Sequence, residues 1–136
     1  MLYIGHFSFD EVNITGLARH GYFTMVSRGA SAEAVTDAFK AAIKEKKAND
    51  PIFERILAVY IEDIIEIPDV PEAPMMTRLQ SSAGQFPESI SHSLPGVEEE
   101  AAKAYGFSID IMQVKIKPTH DYKEMTPFIR FEPPTG

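Results

Sequence analysis

The chain contains no cysteine. That absence excludes a disulfide framework, catalysis by a thiolate, and zinc or iron–sulfur sites with cysteine ligands. A basic N-terminal segment followed by an apolar stretch, which would indicate a signal peptide, is also missing. Both absences are compatible with the reducing cytosol, and we therefore expect a cytoplasmic protein.

Long apolar runs are missing as well. The longest unbroken run covers residues 56–61, between Arg55 and Glu62. A membrane helix needs about 18 or more apolar residues, so we expect no membrane association. The 136 residues are 44% apolar, which is enough for one domain with its own core. We assign residues 1–132 to that domain and 133–136 to a loose C-terminal tail.

The chain is also not basic, since its net charge is −7. Ten of the acidic residues, but only Arg55 and Arg78 among the basic ones, lie within residues 51–100. Acidic surfaces repel phosphate backbones, so we do not expect nucleic acid as a partner. The acidic region 51–100 is either a solvated face or a docking surface for a basic protein partner.

No motif in the chain specifies a cofactor or a catalytic centre. The four histidines, at positions 6, 20, 92 and 120, form no close pair of the kind that helical zinc sites use. Phosphate-binding loops, dinucleotide-binding glycines and the Gly-x-Ser-x-Gly elbow are missing. We therefore expect no bound metal and no cofactor, and the sequence assigns no catalytic residue.

The pattern of apolar residues predicts an α+β fold. Period-two alternation favours strands over 2–9 and 22–28, with turns in 10–21 between them. A helix is predicted over 31–47, where Ser31 can cap the N-terminus. Its apolar stripe has helical spacing and consists of Val35, Ala38, Phe39, Ala42 and Ile43.

The segment 56–67 reads as a central strand that is apolar on both faces. The pair Glu62-Asp63 interrupts it and suggests a β-bulge. Strict alternation puts Leu57, Val59, Ile61, Ile65 and Ile67 on one face, and Ile56, Ala58, Tyr60 and Ile64 on the other.

The remaining elements complete a mainly antiparallel, twisted sheet of about five to seven strands. Strands are predicted over 75–82, 88–94, 107–117 and 127–131, and a second, short helix is predicted over 97–105. The serines between 81 and 93 alternate with Ile90, His92 and Leu94, which indicates a polar outer face on a half-buried strand.

Five side chains are candidates for a binding site. His6 and His92 each lie on a predicted strand among apolar neighbours, where the simpler interpretation is a hydrogen-bonded structural histidine. Arg19 and His20 lie in a segment bounded by glycines, which is either a ligand loop or a plain connection. Arg78 is the fifth candidate.

The acidic residues Glu62, Asp63, Glu66 and Asp69 could supply oxygen ligands to a hard cation. Their spacing lacks the glycine and the closing glutamate of a calcium loop. We interpret them as a bulge followed by a solvated strand end.

Two hypotheses for function remain. The first is a non-catalytic interaction or assembly module that forms a homodimer, because one amphipathic helix covers only one face of a sheet that is apolar on both. The alternative is a small-ligand-binding protein or small enzyme with a pocket built from some of the five candidate side chains. A concave site where two or more of them meet would favour the alternative.

Overall fold

A computed structural model describes residues 1–12, 14–82, 89–106 and 127–132. Every strand pairing in this part of the chain is antiparallel, and the α+β fold is confirmed. The predicted strand over 107–117 and the tail 133–136 lie outside the described residues. In chain order the elements are β1 Leu2–Val12, β2 Ala18–Arg28, α1 Ala32–Asn49, a 3₁₀ turn Pro51–Phe53, β3 Ile56–Ile67, β4 Arg78–Ser82, β5 Ser89–Ser93, β6 Lys103–Gly106 and β7 Ile129–Arg130.

The main sheet has the order β2-β1-β3-β6, and β7 also pairs with β3. β1 and β2 form a long hairpin, in which β2 begins at Ala18 rather than at residue 22. Arg19 and His20 therefore lie in a strand, which corrects their placement in a loop. Two cross-strand pairs of side chains stabilise this extension of the ladder. Glu11 faces Arg19, and Asp10 faces His20.

Helix α1 packs on one face of this sheet and begins as predicted. The Ser31 hydroxyl accepts a hydrogen bond of 3.0 Å from the backbone N–H of Ala34. Val35, Phe39 and Ile43 are buried, which confirms the stripe at these positions. Ala38, which the sequence also placed in the stripe, is exposed.

The helix approaches the sheet closely over Gly5 of β1. A Cβ atom at Gly5 would lie 2.8 Å from Cε2 of Phe39 and 2.7 Å from Cε2 of Phe7. The two rings meet edge to face with centroids 5.6 Å apart. Because glycine has no side chain, the rings of Phe7 and Phe39 can pack together directly over position 5.

The bulge predicted in β3 is confirmed. His6 pairs with Asp63 and Phe7 pairs with Ile61, so Glu62 is the extra residue. After the inserted residue, the positions whose side chains point to a given face of the sheet are shifted by one. Ile64 consequently joins the core beneath α1, and the prediction that it faces away from Val59 and Ile61 is wrong.

The opposite face of the sheet carries Ile65 and Ile67, and the chain itself covers this face over β3. β4 and β5 form a separate two-stranded sheet over this face. Farther along the same face, Leu94, Val97 and Ala102 pack against the two isoleucines.

The prediction of a second helix over 97–105 is wrong. Residues 99–101 form a turn, and Lys103–Gly106 pairs with β3 as β6. A helix this short is marginal in isolation. As a strand, the segment instead pairs with β3, and Tyr105 packs against the core. Among the described residues, no helix is long and apolar enough to span a membrane.

Candidate functional site: a buried polar cluster beside a cleft

The covered face of the sheet holds a set of charged and polar side chains at its centre. His6, Glu62 and Asp63 are 8%, 3% and 0% exposed, respectively. Because charges are rarely buried without partners, this set requires an explanation. We call it the polar cluster, and its members are His6, Ser8, Glu62, Asp63, Arg78 and Ser93.

Strand periodicity and the bulge bring these side chains together. His6 and Ser8 are two residues apart on β1 and so share a face. The bulge turns both Glu62 and Asp63 toward that face, where strict alternation would have separated them. Arg78 and Ser93 face each other across the β4–β5 ladder and reach the cluster from the covering layer.

Arg78 links the two carboxylates of the cluster. Its Nη1 donates to Oδ2 of Asp63 at 2.9 Å, and its Nη2 donates to Oε1 of Glu62 at 2.7 Å. Ser8 donates to the second oxygen of Glu62 at 2.7 Å, and Ser93 donates to Oδ2 of Asp63. Since the side chain of Arg78 is only 7% exposed, these charge-assisted bonds are shielded from water.

His6 connects the cluster to Thr77, which immediately precedes β4. Its Nδ1 bonds to Oδ1 of Asp63, and its Nε2 lies 3.0 Å from Oγ1 of Thr77. A carboxylate only accepts hydrogen bonds, so Nδ1 carries the proton. In the neutral ring Nε2 is then an acceptor, and the hydroxyl of Thr77 donates to it.

Two buried polar atoms at this site have no hydrogen-bond partner among the described residues. They are Nε of Arg78 and Oγ of Ser91. Buried donors of this kind are uncommon and destabilise the fold unless something satisfies them.

A cleft of about 350 Å³ opens between β2 and β4, with His6, Thr77 and Arg78 in its wall. Tyr22, Thr24, Gln80 and Ser82 add neutral hydrogen-bonding groups to the lining. The hydroxyls of Tyr22 and Ser82 are 3.0 Å apart and join β2 to β4. The volume is at the lower end of the range for small-molecule sites.

A second histidine–aspartate pair, formed by His20 and Asp10, lies farther along the same face of the sheet. Nδ1 of His20 is 3.1 Å from Oδ1 of Asp10, and the hydroxyl of Tyr60 donates to the other oxygen of Asp10 at 3.1 Å. Burial and the Asp10 carboxylate raise the pKa of Tyr60 to about 12, so the phenol stays protonated and donates at neutral pH. The ring of His20 contacts Tyr22 edge to face, with centroids 4.9 Å apart.

The structure brings together two of the five candidate residues, His6 and Arg78. His20 contacts Tyr22, which is one of the residues that line the cleft. Arg19 is exposed and lies 3.6 Å from Glu11, away from the cleft. His92 is exposed on the outer side of β5 and contributes nothing to the site.

The orientation predicted for β5 is wrong. Ser91 is fully buried and Ser93 reaches Asp63, whereas Ile90 is 48% exposed. The serines face inward because the surface that they cover is polar. Glu62 and Asp63 are likewise not part of a solvated strand end, since both are buried and paired.

Sequence reasoning also missed Thr77 and Ser8. Ser8 follows His6 at the spacing of one strand face, which is a usable signal once β1 is recognised. Thr77 carries no such signal, because its contact with His6 spans 71 residues. In the described ranges, no group of three or more His, Cys, Asp or Glu residues has an arrangement that could hold a metal ion.

No family model matches this chain, and neither does any curated protein or solved structure.

Proposed function

We propose that this protein binds a small, uncharged, hydrogen-bonding molecule in the cleft between β2 and β4. The observation that carries the proposal is the convergence of His6 and Arg78 on one concave site. His6 and Arg78 come from distant parts of the chain and meet in the wall of a concave site with few polar groups, which is the usual form of a small-molecule site.

The charges of the site favour an uncharged ligand. Arg78 is already paired with the carboxylates of both Glu62 and Asp63, so the polar cluster has no excess positive charge to attract an anion. Thr24 and Gln80 instead line the cleft with a hydroxyl and an amide group. Such groups fix the orientation of a neutral ligand through hydrogen bonds.

The ligand can be sought by amide chemical-shift mapping with sugars, polyols, small amides and small esters, using phosphate and acetate as charged comparisons. We expect shifts at Thr24 and Gln80 with a neutral compound. Thr24→Val removes one hydroxyl without changing shape and should weaken binding roughly threefold to tenfold, the effect of one hydrogen bond.

Ser27→Ala is the matched control, because it removes a hydroxyl from the same strand away from the cleft. It should leave the affinity unchanged. Shifts that scatter over the surface, or binding of the anions alone, would contradict the proposed site.

Homodimerisation has less support than the ligand site. The sequence predicted it because one helix cannot cover both faces of the sheet. The β4–β5 layer and the segment after it cover the second face over β3, whereas Tyr22 and Val26 of β2 are exposed there. Dimer formation stays a prediction, which light scattering can test against the chain mass of 15.2 kDa.

A further inference from the structure

Thr77, His6 and Asp63 form a continuous chain of hydrogen bonds that begins at the cleft. Oγ1 of Thr77 is 3.0 Å from Nε2 of His6, and Nδ1 of the same ring bonds to Asp63. A hydroxyl, an imidazole and a carboxylate in this order are the parts of a nucleophile activated by a base, which is recognised by geometry and roles rather than by sequence position.

The carboxylate at the end of this chain is held rigidly. Asp63 is 0% exposed, and its second oxygen accepts bonds from Arg78 and Ser93. A carboxylate fixed in this way holds the imidazole in one orientation and stabilises the positive charge that develops on the ring. Thr77 and His6 both line the cleft, so the two residues border the space that a ligand would occupy.

We propose that the cleft performs acyl transfer on a small ester, with Thr77 as the nucleophile, His6 as the general base and Asp63 as a positioning residue. This inference rests on the proposed ligand site. The bond that forms joins Oγ1 of Thr77 to the acyl carbon, while the proton of the hydroxyl passes to Nε2 of His6. The bond that breaks is the one to the leaving alcohol, which takes that proton from His6.

Water completes the cycle. His6 removes a proton from water, the resulting oxygen attacks the acyl-Thr77 ester, and the carboxylic acid leaves as Thr77 regains its proton. Water is the second substrate, and the reaction needs no oxidant or reductant. Each step uses His6 alternately as base and acid, which is the usual role of a paired imidazole.

The negative oxygen that develops during attack needs a hydrogen-bond donor, and the backbone N–H of Arg78, the residue after Thr77, would supply it. The backbone position of Thr77 is itself fixed, because its carbonyl accepts a bond of 2.9 Å from the N–H of Leu94, just beyond the end of the β4–β5 ladder. A donor that directly follows the nucleophile is a common component of such sites.

The test uses p-nitrophenyl acetate as an activated ester. We expect release of p-nitrophenol and, in samples quenched with acid before water hydrolyses the ester, an acetyl group on Thr77 that peptide mass spectrometry locates. Thr77→Val should abolish this label, whereas Thr77→Ser should retain it.

His6→Gln should slow acylation of Thr77 by at least about a hundredfold, the usual contribution of a general base. Ser27→Ala should react like the parent chain, and thermal unfolding checks that each variant is folded. Acetylation of lysines or of His6 in place of Thr77, or an unchanged rate in folded His6→Gln, would overturn the inference.

The outcomes separate this inference from the ligand site on which it rests. If neutral compounds bind at Thr24 and Gln80 but Thr77 is never acylated, acyl transfer is wrong and ligand binding stands. If nothing binds in the cleft and nothing is acylated, both proposals fail.

Discussion

Replacement of Arg78 by leucine is expected to destabilise the folded chain by about 3–5 kcal/mol. The variant would leave the carboxylates of Glu62 and Asp63 buried without their shared cation. The cost of an unpaired buried charge exceeds the cost of the lost contacts themselves. Urea unfolding monitored by circular dichroism gives the free energy of unfolding from the midpoint and slope.

Arg28→Leu is the matched control, since Arg28 is exposed at the end of β2. It should change stability by no more than about 0.5 kcal/mol. Adding Glu62→Gln and Asp63→Asn to Arg78→Leu should recover part of the loss, because it removes the charges that were left unpaired. A loss below about 1 kcal/mol in Arg78→Leu alone would show that the polar cluster does not form.

Phe39→Ala is expected to cost about 3–5 kcal/mol, the range for truncating a buried phenylalanine. The ring is 2% exposed and packs against Phe7 above Gly5. Because the sheet beneath is rigid, we expect the cavity to collapse only partly.

Lys44→Ala on the exposed side of the same helix is the control for Phe39→Ala, and it should have little effect. Both variants are measured by urea unfolding. A loss of less than about 1 kcal/mol for Phe39→Ala would show that the helix stripe is not part of the core.

The elements of the fold that depend on local pattern could be predicted from the sequence. Ser31 as a cap and Val35, Phe39 and Ile43 at helical spacing define α1 without any knowledge of its surroundings. The bulge at Glu62 was also visible, because two acids interrupt an apolar strand.

What the bulge does to the following residues was not predicted, because strict alternation was carried across it. One inserted residue transfers Ile64 to the core under α1 and leaves Ile65 and Ile67 on the other face. The face of a strand is thus set by register with its neighbour, which depends on contacts with β1 that are distant in sequence.

The site itself could be predicted only in part, for the same reason. His6 and Arg78 were candidates by residue type, but nothing local indicated that they share Asp63. The inward serines of β5 are understandable only once the polar surface beneath them is known. Polar residues that cover a polar surface have the same alternation as residues that face solvent.

The most direct test of the polar cluster is the protonation pattern of the His6 ring. Long-range proton–nitrogen correlation spectra of the labelled protein report which ring nitrogen carries hydrogen, and His6→Gln assigns the signals. The bond to Asp63 predicts hydrogen on Nδ1 of the neutral ring and a bare Nε2 that accepts from Thr77. Hydrogen on Nε2, or the averaged signals of a freely exchanging ring, would contradict this arrangement and with it the proposed site.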